Sequence, residues 1–375
     1  MASALIIPES QDEIWKSIIY SIESDVRSRN EAGQSLALSL LATIMPSALT
    51  SLADAVFDIA LSSRSSSIIR KKALICLARM LKKDPNRYDT KKVFGPLSEI
   101  FEGRHSSTLS LLSGASSLLL TLMNLGNPEQ LKDLQPKVVR LLHRLAINKE
   151  CPMNYVYYTH PNPWLQMKLY KALQLWSPPT DQGTLDLVSE TVSKVLKRTD
   201  ASEVLSKSNI EYGLLFEVIN LIIHYNDKLD RKLMTNVSKI LVVFISSSRA
   251  NIRYLGLEAM CRLALRHNLA DHLEKILVNL EHTDVSIRKR ALDLLYLICN
   301  SENVSRIVAE LLGYLESRTD PHIRDDLVLK IAILAEKFAE NLIWYVDVVV
   351  RLIQNAEVEN DIWYRIIQII TGKHV

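Results

Sequence analysis

The chain is short of the residues that make turns and covalent staples. Its 375 residues include 10 Gly, 12 Pro and 4 Cys, and only 6% are aromatic. So little Gly and Pro argues against a turn-rich β fold and tilts the reading toward helices. Four Cys with no Cys-x-x-Cys pair exclude a disulfide-stapled secreted domain and leave a structural zinc site unsupported. A large charge of one sign is also missing. The 45 Lys and Arg nearly balance 42 Asp and Glu, and the net charge of +3 is too small to argue for a nucleic-acid binder. No clean membrane span is present, since one needs about 20 predominantly apolar residues. The uncharged stretch 33–53 holds Pro46 in its middle, and about half of 106–128 is Ser, Thr, Asn or Gly. The second stretch reads as a helix buried on most sides of a helical stack. The N-terminus has no basic segment of a secretory signal, and the unpaired thiols suit a cytoplasmic chain.

What the chain has instead is apolar content and a repeat. At 48% apolar and 23% charged it can offset chain entropy and fold. A phrase opening with Ile-Arg recurs at Ile69-Arg70, Ile252-Arg253, Ile287-Arg288 and Ile323-Arg324, and the last three copies are spaced 35 and 36 residues apart. Apolar or small residues follow at +4, +5, +8 and +11 or +12 from the Ile, a helical stripe rather than a strand alternation. Asp284 and Ser286 precede the third copy and Asp320-Pro321 the fourth, as helix-start chemistry predicts. A second amphipathic segment, residues 272–280 and 304–315, lies between copies.

One helix pair every 35 or so residues is the period of HEAT and armadillo arrays. A lone pair cannot cover its own apolar stripe, so pairs must stack. Ala73, Gly256 and Ala291 fall at one phase of three copies, where small side chains let helices approach. The Arg at +1 is expected to bond carbonyls or an acidic side chain nearby. The expected fold is all-α: a right-handed α-solenoid of helical pairs, one domain over residues 1–375. Residues 151–163 (CPMNYVYYTHPNP) form the one long irregular segment.

Chemistry is hard to find. Ten scattered glycines form no phosphate loop or dinucleotide fingerprint, and the nine His include no HExxH pair. Cys76, Cys261 and Cys299 sit inside repeat helices, where Cys acts as a small hydrophobe. Asp325-Asp326 open a helix and favour its dipole. No catalytic residue, metal ligand or cofactor site is expected. The basic doublets Lys71-Lys72 and Lys82-Lys83 are first a solvated face; their functional reading is a weak contact with an anionic membrane surface. The clusters Tyr155-Val156-Tyr157-Tyr158, Trp164, Trp344-Tyr345 and Trp363-Tyr364 serve equally as partner anchors or as locks between repeats.

A family resemblance goes further. Tyr157-Tyr158 with Pro161-Asn162-Pro163-Trp164-Leu165 and Lys168-Leu169 resembles a segment of the large adaptin subunits of clathrin adaptor complexes. So do the run 251–261 (NIRYLGLEAMC), the run 329–338 (LKIAILAEKF) with Trp344-Tyr345-Val346-Asp347, and 363–369 (WYRIIQI). The resemblance is nearer the alpha class than gamma or beta, close from about Tyr155 to Ile370 and looser over about 10–150. It implies a non-enzymatic coat scaffold that assembles with sigma, beta and mu subunits. Clathrin is then an indirect partner, and the location is the cytoplasmic face of plasma-membrane coated pits. A gamma-like subunit or an unrelated HEAT-repeat carrier is the alternative. The family's upstream helices, with a Lys-rich phosphoinositide site and a basic residue near the dileucine-cargo site, have no counterpart here. Its downstream hinge and appendage are also missing, so the chain reads as a partial trunk.

Overall fold

In the computed structural model the apolar stripes become helices. Described are residues 12–43, 52–62, 65–85, 91–102, 109–126, 128–197, 208–317, 321–339, 341–355 and 360–372. The expected helix cap at Asp320 and the N-terminal residues 1–9 lie outside them. The helices fall into two units. The first contains α1 (Asp12–Val26), α2 (Glu31–Thr43), α3 (Ala53–Leu61), α4 (Ser67–Lys83), α5 (Lys91–Glu102), α6 (Leu109–Leu125), α7 (Gln135–Ala146), α8 (Pro163–Leu175), α9 (Gln182–Lys197) and α10 (Asn209–Tyr225). The second contains α11 (Arg231–Ile245), α12 (Ala250–Ala264), α13 (Leu273–Leu277), α14 (Val285–Ile298), α15 (Val304–Ser317), α16 (Arg324–Phe338), α17 (Leu342–Asn355) and α18 (Asn360–Thr371).

Each unit is built of two rows of helices. In the first, α2, α4, α6, α8 and α10 pack in series, and α3, α5, α7 and α9 form the row behind them. In the second, α12, α14 and α16 make one row, with α11, α13, α15 and α17 in the other. The uncharged stretch ending near residue 126 becomes α6, buried on most of its circumference from Leu109 to Met123. Its hydroxyls fold back on their own helix. Ser116 Oγ donates to the Leu112 carbonyl at 2.7 Å and Thr121 Oγ1 to the Ser117 carbonyl at 3.0 Å, which lets polar residues stand in an apolar stack. Among the described residues no helix is long and apolar enough to cross a membrane.

The small residues at one repeat phase mark close approaches. A Cβ added to Gly256 would lie 2.8 Å from Phe244 Cβ and 3.3 Å from the Ile245 backbone nitrogen. Ala73 and Ala291, at the same phase, are fully buried. Gly114 in α6 meets the Lys71 carbonyl in the same way, at 3.0 Å. In three of the four copies the Arg that follows the repeat Ile reaches carbonyls. Arg253 Nε donates to Ser247 O at 2.8 Å, Arg288 NH1 to His282 O and Thr283 O at 2.8 Å each, and Arg324 to Asn355 O. Arg70 departs from this pattern, because its Nε is buried without a hydrogen bond. Asp284 caps α14 as expected, its carboxylate accepting from Ser286 N at 2.8 Å.

One expectation needs correction. Residues 272–280 do not form one helix. The five-residue α13 is flanked by 3-10 turns Ala270–His272 and Val278–Glu281. Asn279 is the cause, since its buried side-chain amide donates at 2.7 Å to the Lys275 carbonyl, which a continuing helix would use. α5 runs from Lys91 to Glu102 straight through Pro96. The irregular segment after Cys151 holds a small hairpin. Val156–Tyr157 pairs antiparallel with His160–Pro161, with Tyr158 at φ 53° and Asn162 at φ 39°. Pro163 then opens α8 at its first position.

Candidate interaction site

The structure does not bring the four singled-out lysines together. Lys71 and Lys72 lie in the first half of α4, Lys82 and Lys83 in its last turn. Ten to twelve helical residues, roughly 15–18 Å of axis, separate the doublets. Lys72 is half-buried and turned inward: its Nζ donates to Ser39 Oγ at 2.9 Å, to Ser35 O at 3.2 Å and to Ser35 Oγ. Lys71 is also half-buried, against Gly114. Lys82 and Lys83 are exposed.

Lys72 belongs to a set of ties between successive helices of one row. Lys168 of α8 repeats its geometry on α6, donating to Ser113 O at 3.0 Å and Ser117 Oγ at 2.8 Å. Burial, followed by the charge of Lys71, pushes the Lys168 pKa down. In the second unit the acceptors are carboxylates: Arg290 to Glu258 at 3.0 Å, Lys330 to Asp293 at 2.7 Å and Arg365 to Glu336 at 2.7 Å. Exposed ion pairs contribute little each, about 0.2–1 kcal/mol. They set which turn of one helix faces which turn of the next.

The aromatic clusters divide. Tyr345 is buried and locks α17 into its unit. Tyr158 is 80% exposed, and it stacks edge-on with Tyr157 at 4.7 Å, which meets Trp164 at 5.0 Å. Met153, in the turn just ahead of the hairpin, is exposed as well. On α18, Trp363, Tyr364, Ile367 and Ile370 are exposed.

The thiols of Cys76, Cys261 and Cys299 are not poised for reaction. Burial pushes Cys76 and Cys261 up to about 12 and Cys299 up to about 11, far from the thiolate a nucleophile requires. His272 Nε2 lies 2.9 Å from Ser238 Oγ, and burial lowers its pKa. Among the described residues no group of three or more His, Cys, Asp and Glu is placed to hold a metal ion. Sequence reasoning missed a cationic stripe on α7, Lys137, Arg140 and Arg144. The signal was present, because these cations lie opposite the buried Val138, Val139, Leu142 and Leu145 in one amphipathic helix.

Comparison with known proteins places this geometry. The profile described as the adaptin N terminal region matches residues 3–374. The chain is 37% identical over 379 residues to AP-2 complex subunit alpha-1 of Arabidopsis thaliana, covering 99% of this chain and 37% of that protein. It is 36% identical to AP-2 complex subunit alpha-2 of Dictyostelium discoideum, over 98% of this chain and 37% of that protein. AP-4 complex subunit epsilon-1 of Mus musculus is 28% identical over 92% of this chain and 30% of its own length. The chain thus spans 37% of the alpha relatives' length. In fold it is similar to a homology model of the full-length AP-3 complex in an intermediate open conformation. The TM-score is 0.50 at 20% identity, covering 95% of this chain and 62% of that one.

Proposed function

The chain belongs to the adaptin N-terminal family, and on that premise we propose that it is a trunk segment of an alpha-type large subunit of a clathrin adaptor complex. The observation that carries this reading is the 37% identity to an AP-2 alpha subunit across 99% of the chain. The lower figure of 28% for the AP-4 epsilon subunit sets the alpha class above that relative. The role is structural. Rows of stacked helices offer long surfaces and the buried thiols offer no nucleophile, so we read the chain as a scaffold and not an enzyme.

In this reading residues 1–375 are one adaptin-type trunk region, in keeping with a family match that runs over residues 3–374. Its partners are small sigma-type, beta-type and mu-type subunits, with clathrin recruited indirectly. Its site of action is the cytoplasmic face of plasma-membrane coated pits. Co-expression with sigma-, beta- and mu-type subunits should yield a complex that co-purifies through a tag on this chain. Failure of sigma and beta to co-purify would overturn the assignment.

The anionic-surface contact reduces to Lys82 and Lys83, the exposed members of the set, because Lys71 and Lys72 are half-buried. Each lysine near such a surface contributes on the order of 1 kcal/mol. Lys82→Gln with Lys83→Gln should therefore weaken sedimentation with phosphatidylserine vesicles at low salt. Unchanged sedimentation removes that contact.

A further inference from the structure

The first unit has a cleft of about 790 Å³ between α5 and α7. That volume falls in the range of ligand-bearing clefts, about 300–1,000 Å³. Lys137, Arg140 and Arg144 enter it from α7, three and four residues apart and so on one helical face. Two of these cations are already answered. Lys137 pairs with Glu102 and Ser98 Oγ, and Arg144 Nε donates to Glu150 Oε2 at 2.5 Å. Arg140 stands between them, exposed, with no hydrogen-bonded or ion-paired partner among the described residues. The lining therefore holds one positive charge beyond those its carboxylates neutralise. The hydrogen bond and charge of Lys137, and after them the charge of Arg140, hold the Glu102 carboxyl below the ordinary range.

The charge balance selects the ligand. One carboxylate brings the lining to neutrality, and a guanidinium fork matches its two oxygens. A phosphate, carrying about −1.5 to −2 at neutral pH, would overshoot and face Glu102 and Glu150. A free carboxylate in an open cleft has only the ion pair to hold it, which is weak. A polypeptide adds apolar contact, and the cleft supplies a floor for it in Phe101 and Leu141. We propose that this cleft receives an acidic side chain of a partner polypeptide, with Arg140 as its receptor and an apolar neighbour of that acid seated on Phe101 and Leu141. The inference rests on the packing of α5 and α7 alone and stands apart from the trunk reading.

The probe is N-acetyl-Leu-Glu-Leu-amide, titrated into the full chain and followed by methyl NMR. Arg140→Gln should weaken binding about threefold to fivefold with an unchanged melting temperature, the upper end expected for one exposed ion pair. Glu102→Gln, which frees Lys137, should strengthen binding, and Lys82→Gln with Lys83→Gln should leave it unchanged. Equal binding of the Gln-containing peptide, or indifference to Arg140→Gln, overturns the proposal. So does tighter binding of the phosphoserine counterpart, which would make the site a phosphate receptor. Equal weakening by the Lys82 and Lys83 variant would reduce it to general electrostatics.

Discussion

Gly256 gives the sharpest test of the packing argument, because two effects of opposite sign meet there. Replacing Gly by Ala inside a helix gains about 1 kcal/mol of propensity. At Gly256 the new methyl would stand 2.8 Å from Phe244 Cβ and 3.3 Å from Ile245 N and Cγ2. The first is a Cβ and the second is backbone, so neither can rotate away, and α12 must shift off α11. Overpacking of this kind costs about 1–3 kcal/mol. With a contact this short the upper part of that range applies, so Gly256→Ala should destabilise the chain by about 1–2 kcal/mol net. Gly313 in α15 is the control, since a Cβ there meets nothing within 4 Å. Gly313→Ala should therefore stabilise by up to about 1 kcal/mol. Urea unfolding followed by circular dichroism gives both numbers, and amide exchange in α11 and α12 localises the first. A Gly256→Ala protein as stable as its parent would refute the claim that this phase of the repeat is held small by helix contact.

Two other outcomes are expected. Leu294 and Leu295 in α14 are fully buried, so Leu295→Ala should cost about 2–5 kcal/mol in the same urea assay, and a loss under 1 kcal/mol would contradict the packing. Burial lowers the pKa of His272 and His282 below the ordinary 6.5, so the unfolded chain takes up these protons first as pH falls. Stability should be full above about pH 6.5 and decline below it, and the slope between pH 6.5 and 5 should flatten in His272→Gln with His282→Gln.

Much of the fold was legible in the sequence because burial is periodic. The Ile-Arg phrase located α4, α12, α14 and α16, and the buried Ile69, Ile252, Ile287 and Ile323 are the residues that anchor it. Where side chains compete with the backbone, periodicity misleads. Asn279 breaks the segment after residue 272 although its apolar stripe is intact. The lysines misled for a related reason. Lys71-Lys72 and Lys82-Lys83 are alike as doublets, yet the rise of α4 separates them and serines on α2 take Lys72. Composition does not encode which neighbour a cation meets.

Sequence separation does encode part of it. Lys72 reaches Ser35 across 37 residues, Arg290 reaches Tyr254 across 36, Lys330 reaches Asp293 across 37 and Arg351 reaches Glu316 across 35. Each span is one repeat, so a donor and an acceptor one period apart at matching phase are readable as partners before any coordinates exist. Lys168 breaks the rule, reaching Ser113 across 55 residues, because the hairpin after Cys151 lengthens that repeat. The cleft at Arg140 follows the rule only in part. Lys137 finds Glu102 one period away and Arg144 finds Glu150 six residues on, while among the described residues no hydrogen bond or ion pair engages the Arg140 side chain. A cation left over by the repeat's own pairing is a position the array has not used internally, and it is there that a partner's charge can enter.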